Sequence, residues 1–267
     1  MLSRLFAIIP EKFSMLSKMQ KLFFIVFLIL GSAIQAVQAQ DLSTEQKKSV
    51  ETIIYDYLLK NPLVIRQALD SLQVQEENQK KLEQATAIKN LRAELLSTPA
   101  SPVTGNPRGD ITIVEFFDYN CGYCKKVLKT VKDLITLDGG VRLVFKEFPI
   151  LGPSSELAAK SALAAEKQGK YLEFHNELMR AGPINDERIK ATATKLGLDL
   201  ERLNKDAQDP KIQQEIMRNY QLAEELGING TPAFIIGGGL IPGAIELDQF
   251  KKIIASERRK AENIKRQ

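Results

Sequence analysis

Cys121 and Cys124 are the only two cysteines in a chain of 267 residues, and Gly122 and Tyr123 separate them. They follow an apolar run, Ile111-Thr112-Ile113-Val114-Glu115-Phe116-Phe117, that reads as a buried strand, and Cys124 lies inside the helical pattern that comes next. A Cys-x-x-Cys at a strand-to-helix junction is the signature of a redox site. The thiolate is the reactive form of cysteine. A helix N-terminus offers unpaired N–H groups and roughly half a positive charge, which stabilises a thiolate placed there. Cys121 is therefore the expected nucleophile, and Cys124, one turn deeper, the resolving thiol. Gly122 and Tyr123 tune the reduction potential, and Lys125 and Lys126 add modest positive potential. The group that cycles is the Cys121–Cys124 disulfide itself, and no other cofactor is expected.

Two plainer readings of the pair are an inert structural disulfide and half of a metal site. A disulfide closing so short a loop adds little chain-entropy stabilisation. Zinc needs about four ligands, and the one histidine, His175, stands far along the chain in a helical pattern, where it reads as a surface or helix-packing residue. No metal site is expected.

The elements that must carry this pair follow from composition and period. Lys18 and Lys21 precede the apolar run Leu22–Leu30, and Ala36-Val37-Gln38-Ala39 supplies small residues suited to a signal peptidase. Residues 1–39 read as a secretory signal cleaved after Ala39, with Met15 and Met19 as alternative starts to Met1. The run is short for a membrane span, and an uncleaved anchor is the alternative. Removing Arg4, Lys12, Lys18, Lys21 and Glu11 takes three from the net charge of +4 and leaves +1, with basic residues spread along the chain, so nucleic acid is not an expected partner. Export implies an oxidising compartment, the periplasm, where disulfides persist, with membrane association if the leader is retained.

Residues 40–98 form an N-terminal helical region. Ser43-Thr44-Glu45-Gln46 is a capping box. Ile53, Ile54, Tyr57 and Leu58 recur at helical spacing, and Asn61-Pro62 ends one helix and starts another. Apolar stripes at both ends of that second helix flank the polar stretch Gln75–Lys81. Such a helix must pair with a copy of itself or lie on the main domain, so a homodimer or homotrimer is expected; a solvated linker helix is the alternative. Thr98 to Gly109, rich in Pro, Gly and Ser, marks a boundary, and residues 99–267 form the catalytic domain. Within it, strand 111–117, a helix from Gly122 to Leu137 and strand Val141–Phe148 suggest a right-handed βαβ unit. Helices alone fill about 154–226. Strand Ala233–Ile236, a turn at Gly237-Gly238-Gly239 and an antiparallel partner at Leu240-Ile241 lead to a C-terminal helix presenting Phe250, Ile253 and Ile254.

Gly230-Thr231-Pro232-Ala233-Phe234, taken with Glu115-Phe116-Phe117-Asp118-Tyr119-Asn120-Cys121-Gly122-Tyr123-Cys124, resembles the DsbA-like thiol–disulfide oxidoreductases over roughly residues 100–260. The resemblance implies an α/β fold: a thioredoxin-like sheet with an inserted all-helical domain, preceded here by a helical oligomerisation region. It implies that Pro232 is cis and faces Cys121, leaving backbone groups of Thr231 to pair with an extended substrate peptide; an ordinary trans turn is the alternative. It also implies that Glu115, six residues before Cys121, is the buried acid beneath the site, relaying the proton of Cys124, and that Lys146 on the next strand is its basic partner; an ordinary ion pair is the plainer reading. The N-terminal helices resemble those of ScsC-like proteins. The Gly-Tyr pair differs from the Pro-His of strongly oxidising DsbA and matches the isomerase DsbC. Expected partners are unfolded or misoxidised exported proteins and a membrane redox partner resembling DsbB or DsbD. Competing readings are a chaperone or surface-exposed binding protein, and copper handling by the two thiols.

Overall fold

A computed structural model describes residues 41–96 and 101–266. The expected signal peptide, 1–39, lies outside the described residues. Two compact units meet between Asp70 and Ser71. In the first, helix α1 (Thr44–Lys60) starts at Ser43, which takes the Gln46 amide on its hydroxyl while the Gln46 side chain accepts the Ser43 amide, completing the capping box. None of its residues is buried. Asn61 ends it, and Pro62 occupies the first turn of helix α2 (Pro62–Asn90), where a missing N–H costs nothing.

The second unit begins within α2. The chain therefore divides some 28 residues earlier than the Pro/Gly-rich stretch near Pro99 suggests, for a packing reason. Ile88 on α2 and Leu95 on the short helix α3 (Arg92–Leu96) are buried against the sheet with Val114, Phe116 and Val144. The Gln84 side chain donates to the Leu226 carbonyl at 3.1 Å, and Arg218 pairs with Glu94.

The sheet has five strands in the order β1-β3-β2-β4-β5: β1 (Val103–Gly105), β2 (Ile111–Phe117), β3 (Val141–Glu147), β4 (Ala233–Ile236) and β5 (Gly239–Pro242). β2 and β3 are parallel and the other pairs antiparallel. Parallel neighbours need a crossover, supplied by α4 (Gly122–Leu137), which buries Cys124, Val127, Val131 and Leu134 at helical spacing. β1 was not anticipated. Its Gly105 turns at φ +78°, and a Cβ there would stand 2.5 Å from the Val141 carbonyl oxygen, so the approach to β3 requires glycine.

Five helices fill the gap between β3 and β4: α5 (Pro153–Glu166), α6 (Tyr171–Arg180), α7 (Asp186–Lys195), α8 (Leu200–Asp206) and α9 (Pro210–Glu225). Asn185 caps α7 and Asp209 caps α9 through their side chains. The closing helix α10 (Leu247–Lys265) buries Phe250 and Ile254. Each sheet face carries its own core. Ile113, Phe117, Leu143, Phe145 and Phe234 face α4, α10 and the helical lobe; Val114, Phe116, Val144 and Ile235 face Ile88, Leu95 and Leu222. Both central strands are thus buried on both faces, with Glu115 and Lys146 among their buried residues. Among the described residues no helix is long and apolar enough to cross a membrane.

Candidate active site

β2 ends at Phe117, and four residues deliver the chain to α4. Asp118 organises this loop: its Oδ1 accepts the Asn120 amide at 2.7 Å and the Ser155 hydroxyl at 2.7 Å, its Oδ2 accepts the Leu151 amide at 2.9 Å, and its carbonyl accepts the Cys121 amide at 3.1 Å. Cys121 is thereby the N-cap of α4 with extended backbone (φ −74°, ψ 115°), and its side chain forms no capping bond. Cys121 thus stands at the N-terminal end of α4, where the first-turn N–H groups lack helical partners.

The two sulfurs differ in access. Cys121 is 7% exposed and Cys124 fully buried, and both are free thiols. Tyr123, between them, is 67% exposed. Burial pushes the Cys124 thiol far up; the Asp118 backbone and the Thr231 side chain bond to it and pull the other way. Cys124 is therefore held as the protonated thiol. The Thr231–Pro232 bond is cis, and the Cys121 thiol donates to the Thr231 carbonyl at 3.1 Å. The structure brings Cys121, Cys124, Thr231 and Pro232 together, with Gly122 and Tyr123 on the exposed first turn.

Glu115 lies behind Cys124. It pairs with Phe145 across β3 and Phe234 across β4, on the sheet face that packs against α4. Burial pushes its carboxyl up to about 8, so at neutral pH it carries a proton. Glu115 and Cys124 line one cavity of about 300 Å³ between α4 and α6, together with Lys132, His175 and Asn176.

Lys146 requires a correction. It stands opposite Phe116 in the β2–β3 register, so its side chain leaves the other face of the sheet from Glu115. It is fully buried there: Nζ donates to Ser101 Oγ at 2.8 Å and to the Glu94 carbonyl at 3.1 Å, and Glu215 Oε1 lies 3.7 Å away. Ser101 in turn donates to Glu215 Oε1 at 2.7 Å. Lys146 ties Glu94, Ser101 and α9 to the back of the sheet and is not the partner of Glu115.

Sequence reasoning passed over a polar cluster under the cysteine loop. The Tyr119 and Tyr171 hydroxyls both donate to Glu147 Oε1, at 3.0 and 2.8 Å, and Tyr119 meets His175 Nδ1 at 3.2 Å. The His175 ring is packed among Phe117, Tyr119, Phe145 and Tyr171. Burial, with Lys132 nearby, pushes it down to about 3, so it is neutral. Burial also holds Glu147 well above the usual carboxylate range, against the pull of the two tyrosines. His175 is thus the helix-packing residue its pattern suggested, but its distance along the chain misled, since it lines the Cys124 cavity. Among the described residues no three His, Cys, Asp or Glu side chains converge as a metal site. The only signal for this cluster was the position of Tyr119, two residues before Cys121.

Comparison with known proteins places this geometry. Residues 46–79 match the copper resistance protein ScsC N-terminal domain. A thioredoxin-like oxidoreductase from Silicibacter pomeroyi is 43% identical, with a TM-score of 0.62, over 63% of this chain and 98% of that one. ScsC of Proteus mirabilis in a transitional conformation is 28% identical, with a TM-score of 0.59, over 82% of this chain and all of that one. The Na(+)/H(+) antiporter NhaA 1 of Salinispora arenicola is 27% identical over 168 residues, which are 60% of this chain but 26% of that protein, so the chain spans about a quarter of that relative's length. Residues 112–255, from β2 to α10 with the helical lobe between, match the DSBA-like thioredoxin domain, and the chain belongs to that family of thiol–disulfide oxidoreductases.

Proposed function

We propose that this protein is exported to the periplasm and forms or isomerises disulfides in folding proteins through Cys121 and Cys124. The observation that carries the reading is the asymmetry of the two sulfurs. One keeps a small exposed area, on a helix N-terminus and against the Thr231 carbonyl; the other is sealed and protonated one turn below. With the site oxidised, a substrate thiolate attacks Cys121, forms a mixed disulfide and expels Cys124 as a thiolate that takes up a proton. A second substrate thiolate attacks the substrate sulfur, forming the substrate disulfide and releasing Cys121. Two electrons pass to the protein, and each substrate thiol gives up its proton. With the site reduced, Cys121 attacks a wrong disulfide, and either a substrate thiol or Cys124 releases it. Protonated Glu115, behind Cys124, is placed to exchange the proton that this sulfur gains and loses.

Isomerisation benefits from several sites facing one substrate. Ile53, Ile54, Tyr57, Leu63, Leu69 and Leu72 are all exposed on α1 and α2. That much apolar surface supports self-association of the N-terminal region into a homodimer or homotrimer. The pattern of residues 1–39 and the likeness to ScsC support export, and a membrane redox partner resembling DsbB or DsbD would recycle the site. The test is reactivation of a scrambled, disulfide-rich protein by the mature chain in a glutathione buffer, against the Cys121→Ser, Cys124→Ser double variant. Activity lost in the variant supports exchange; full activity without both sulfurs would leave a chaperone. Copper handling, suggested by the name of the family matched at 46–79, would show as stoichiometric copper binding that blocks alkylation of both thiols.

A further inference from the structure

The structure treats the two lysines after Cys124 differently. Lys126 is exposed. Lys125 follows Cys121 by four residues, its amide on the Cys121 carbonyl at 3.1 Å, so the two side chains leave α4 on the same face. Its ammonium donates to the carbonyls of Ala181 at 2.8 Å and Gly182 at 2.6 Å. Ala181 is the C-cap of α6, where the last carbonyls of a helix lack partners and the dipole is negative. The half-buried ammonium is thus fixed in place. Burial lowers its pKa, and Asp118 and the Cys121 sulfur push it back up, so its charge and that of the sulfur feel each other.

On the other side of Cys121, Asn120 accepts the Ile184 amide on Oδ1 at 3.0 Å and donates Nδ2 to the Ser154 and Ser155 hydroxyls at 3.0 and 2.9 Å. The segment Ala181–Ile184 of the helical lobe is therefore fastened to the redox loop on both flanks of the nucleophile. The intervening residues Gly122 and Tyr123 bring no charge to the site.

Building on the redox reading of Cys121, we propose that Lys125 is a positioning residue: α6 holds its ammonium beside the Cys121 sulfur, where it favours the thiolate and with it the reduced dithiol. The helical lobe is then part of the redox site, and displacement of residues 181–182 reaches the sulfur through this one side chain.

The measurement is the equilibrium in which one protein disulfide and two glutathione thiols give one protein dithiol and one glutathione disulfide, two electrons passing to the protein. The chain has no tryptophan, so the reduced fraction is read by acid quench and alkylation mass shift on the full mature chain at pH 7. Lys125→Met should move the equilibrium constant about threefold toward the disulfide and slow Cys121 alkylation by a similar factor, as fits a partly screened charge. Lys125→Arg, which keeps the charge, should stay near wild type, and so should Lys126→Met. A purely structural peg would lower thermal stability in Lys125→Met without moving the equilibrium or the alkylation rate, and that result overturns the proposal. So does an equal effect from Lys126→Met. Lys125→Gln, which keeps a donor for the carbonyls, replaces Lys125→Met if the latter does not fold. Wild-type protein that failed to exchange with glutathione would instead strike the redox reading itself, before any variant is compared.

Discussion

Replacing Glu115 by glutamine should change how stability depends on pH. The folded chain holds this carboxyl at about 8, against an ordinary 4.5, and burial is the cause. Between those values the native state keeps a proton that the unfolded state has lost, so stability falls as pH rises through the window. Each pH unit costs about 1.4 kcal/mol while the difference is a full proton. His175 has the opposite sign. Folding lowers it from 6.5 to about 3, so its contribution to stability rises with pH between these values and is flat above. His175 is present in both proteins and cancels in their difference. Glu147 is shifted in the same direction as Glu115 but is present in both proteins and cancels in their difference. From pH 6.5 to 8, where the native carboxyl is itself beginning to ionise, Glu115→Gln should gain about 1.6 kcal/mol on the wild type. The assay is urea unfolding followed by far-ultraviolet circular dichroism, in reductant, at half-unit pH steps. A gap between the two proteins constant to within about 0.5 kcal/mol would mean that Glu115 is ionised or solvated at neutral pH, and would remove it from the proton chemistry of Cys124.

Other outcomes follow from the same geometry. Cys124→Ser should trap a mixed disulfide at Cys121, visible by non-reducing mass analysis, while Cys121→Ser traps none because the remaining thiol is sealed. Lys146→Met should cost about 3 kcal/mol in urea unfolding by leaving Glu215 with one fewer partner in a buried site, yet leave the glutathione equilibrium constant at the wild-type value; a shift there would restore Lys146 to the active site. A chain beginning at Ser71 should keep the stability of the catalytic unit and lose any self-association by light scattering. One beginning at Ser101 should be weaker by several kcal/mol, since Ile88 and Leu95 are each worth about 1.5–3 when buried.

The parts of this site legible in the sequence are those whose chemistry is local. The strand, the cysteine spacing and the helix pattern after it occupy one continuous stretch, and the helix-start position of Cys121 follows from the order of residues alone. Ser43, Asn61 and Pro62 marked their helix ends for the same reason: each acts within a few residues of itself. Lys146 and His175 show where that stops. An alternating strand reveals which side chains share a face, but β2 and β3 are buried on both faces and do not alternate. Only the register, Phe116 against Lys146 and Glu115 against Phe145, separates the acid from the lysine, and a one-residue slip would have exchanged their faces. His175 reaches Tyr119 because α6 lies against the sheet at Phe145, a contact that no local pattern encodes. A buried group belongs to the active site when its side chain leaves the sheet toward α4, however its charge would suit the chemistry. By that criterion Glu115 belongs and Lys146 does not, and His175 joins Glu115 from α6 by lining the same cavity.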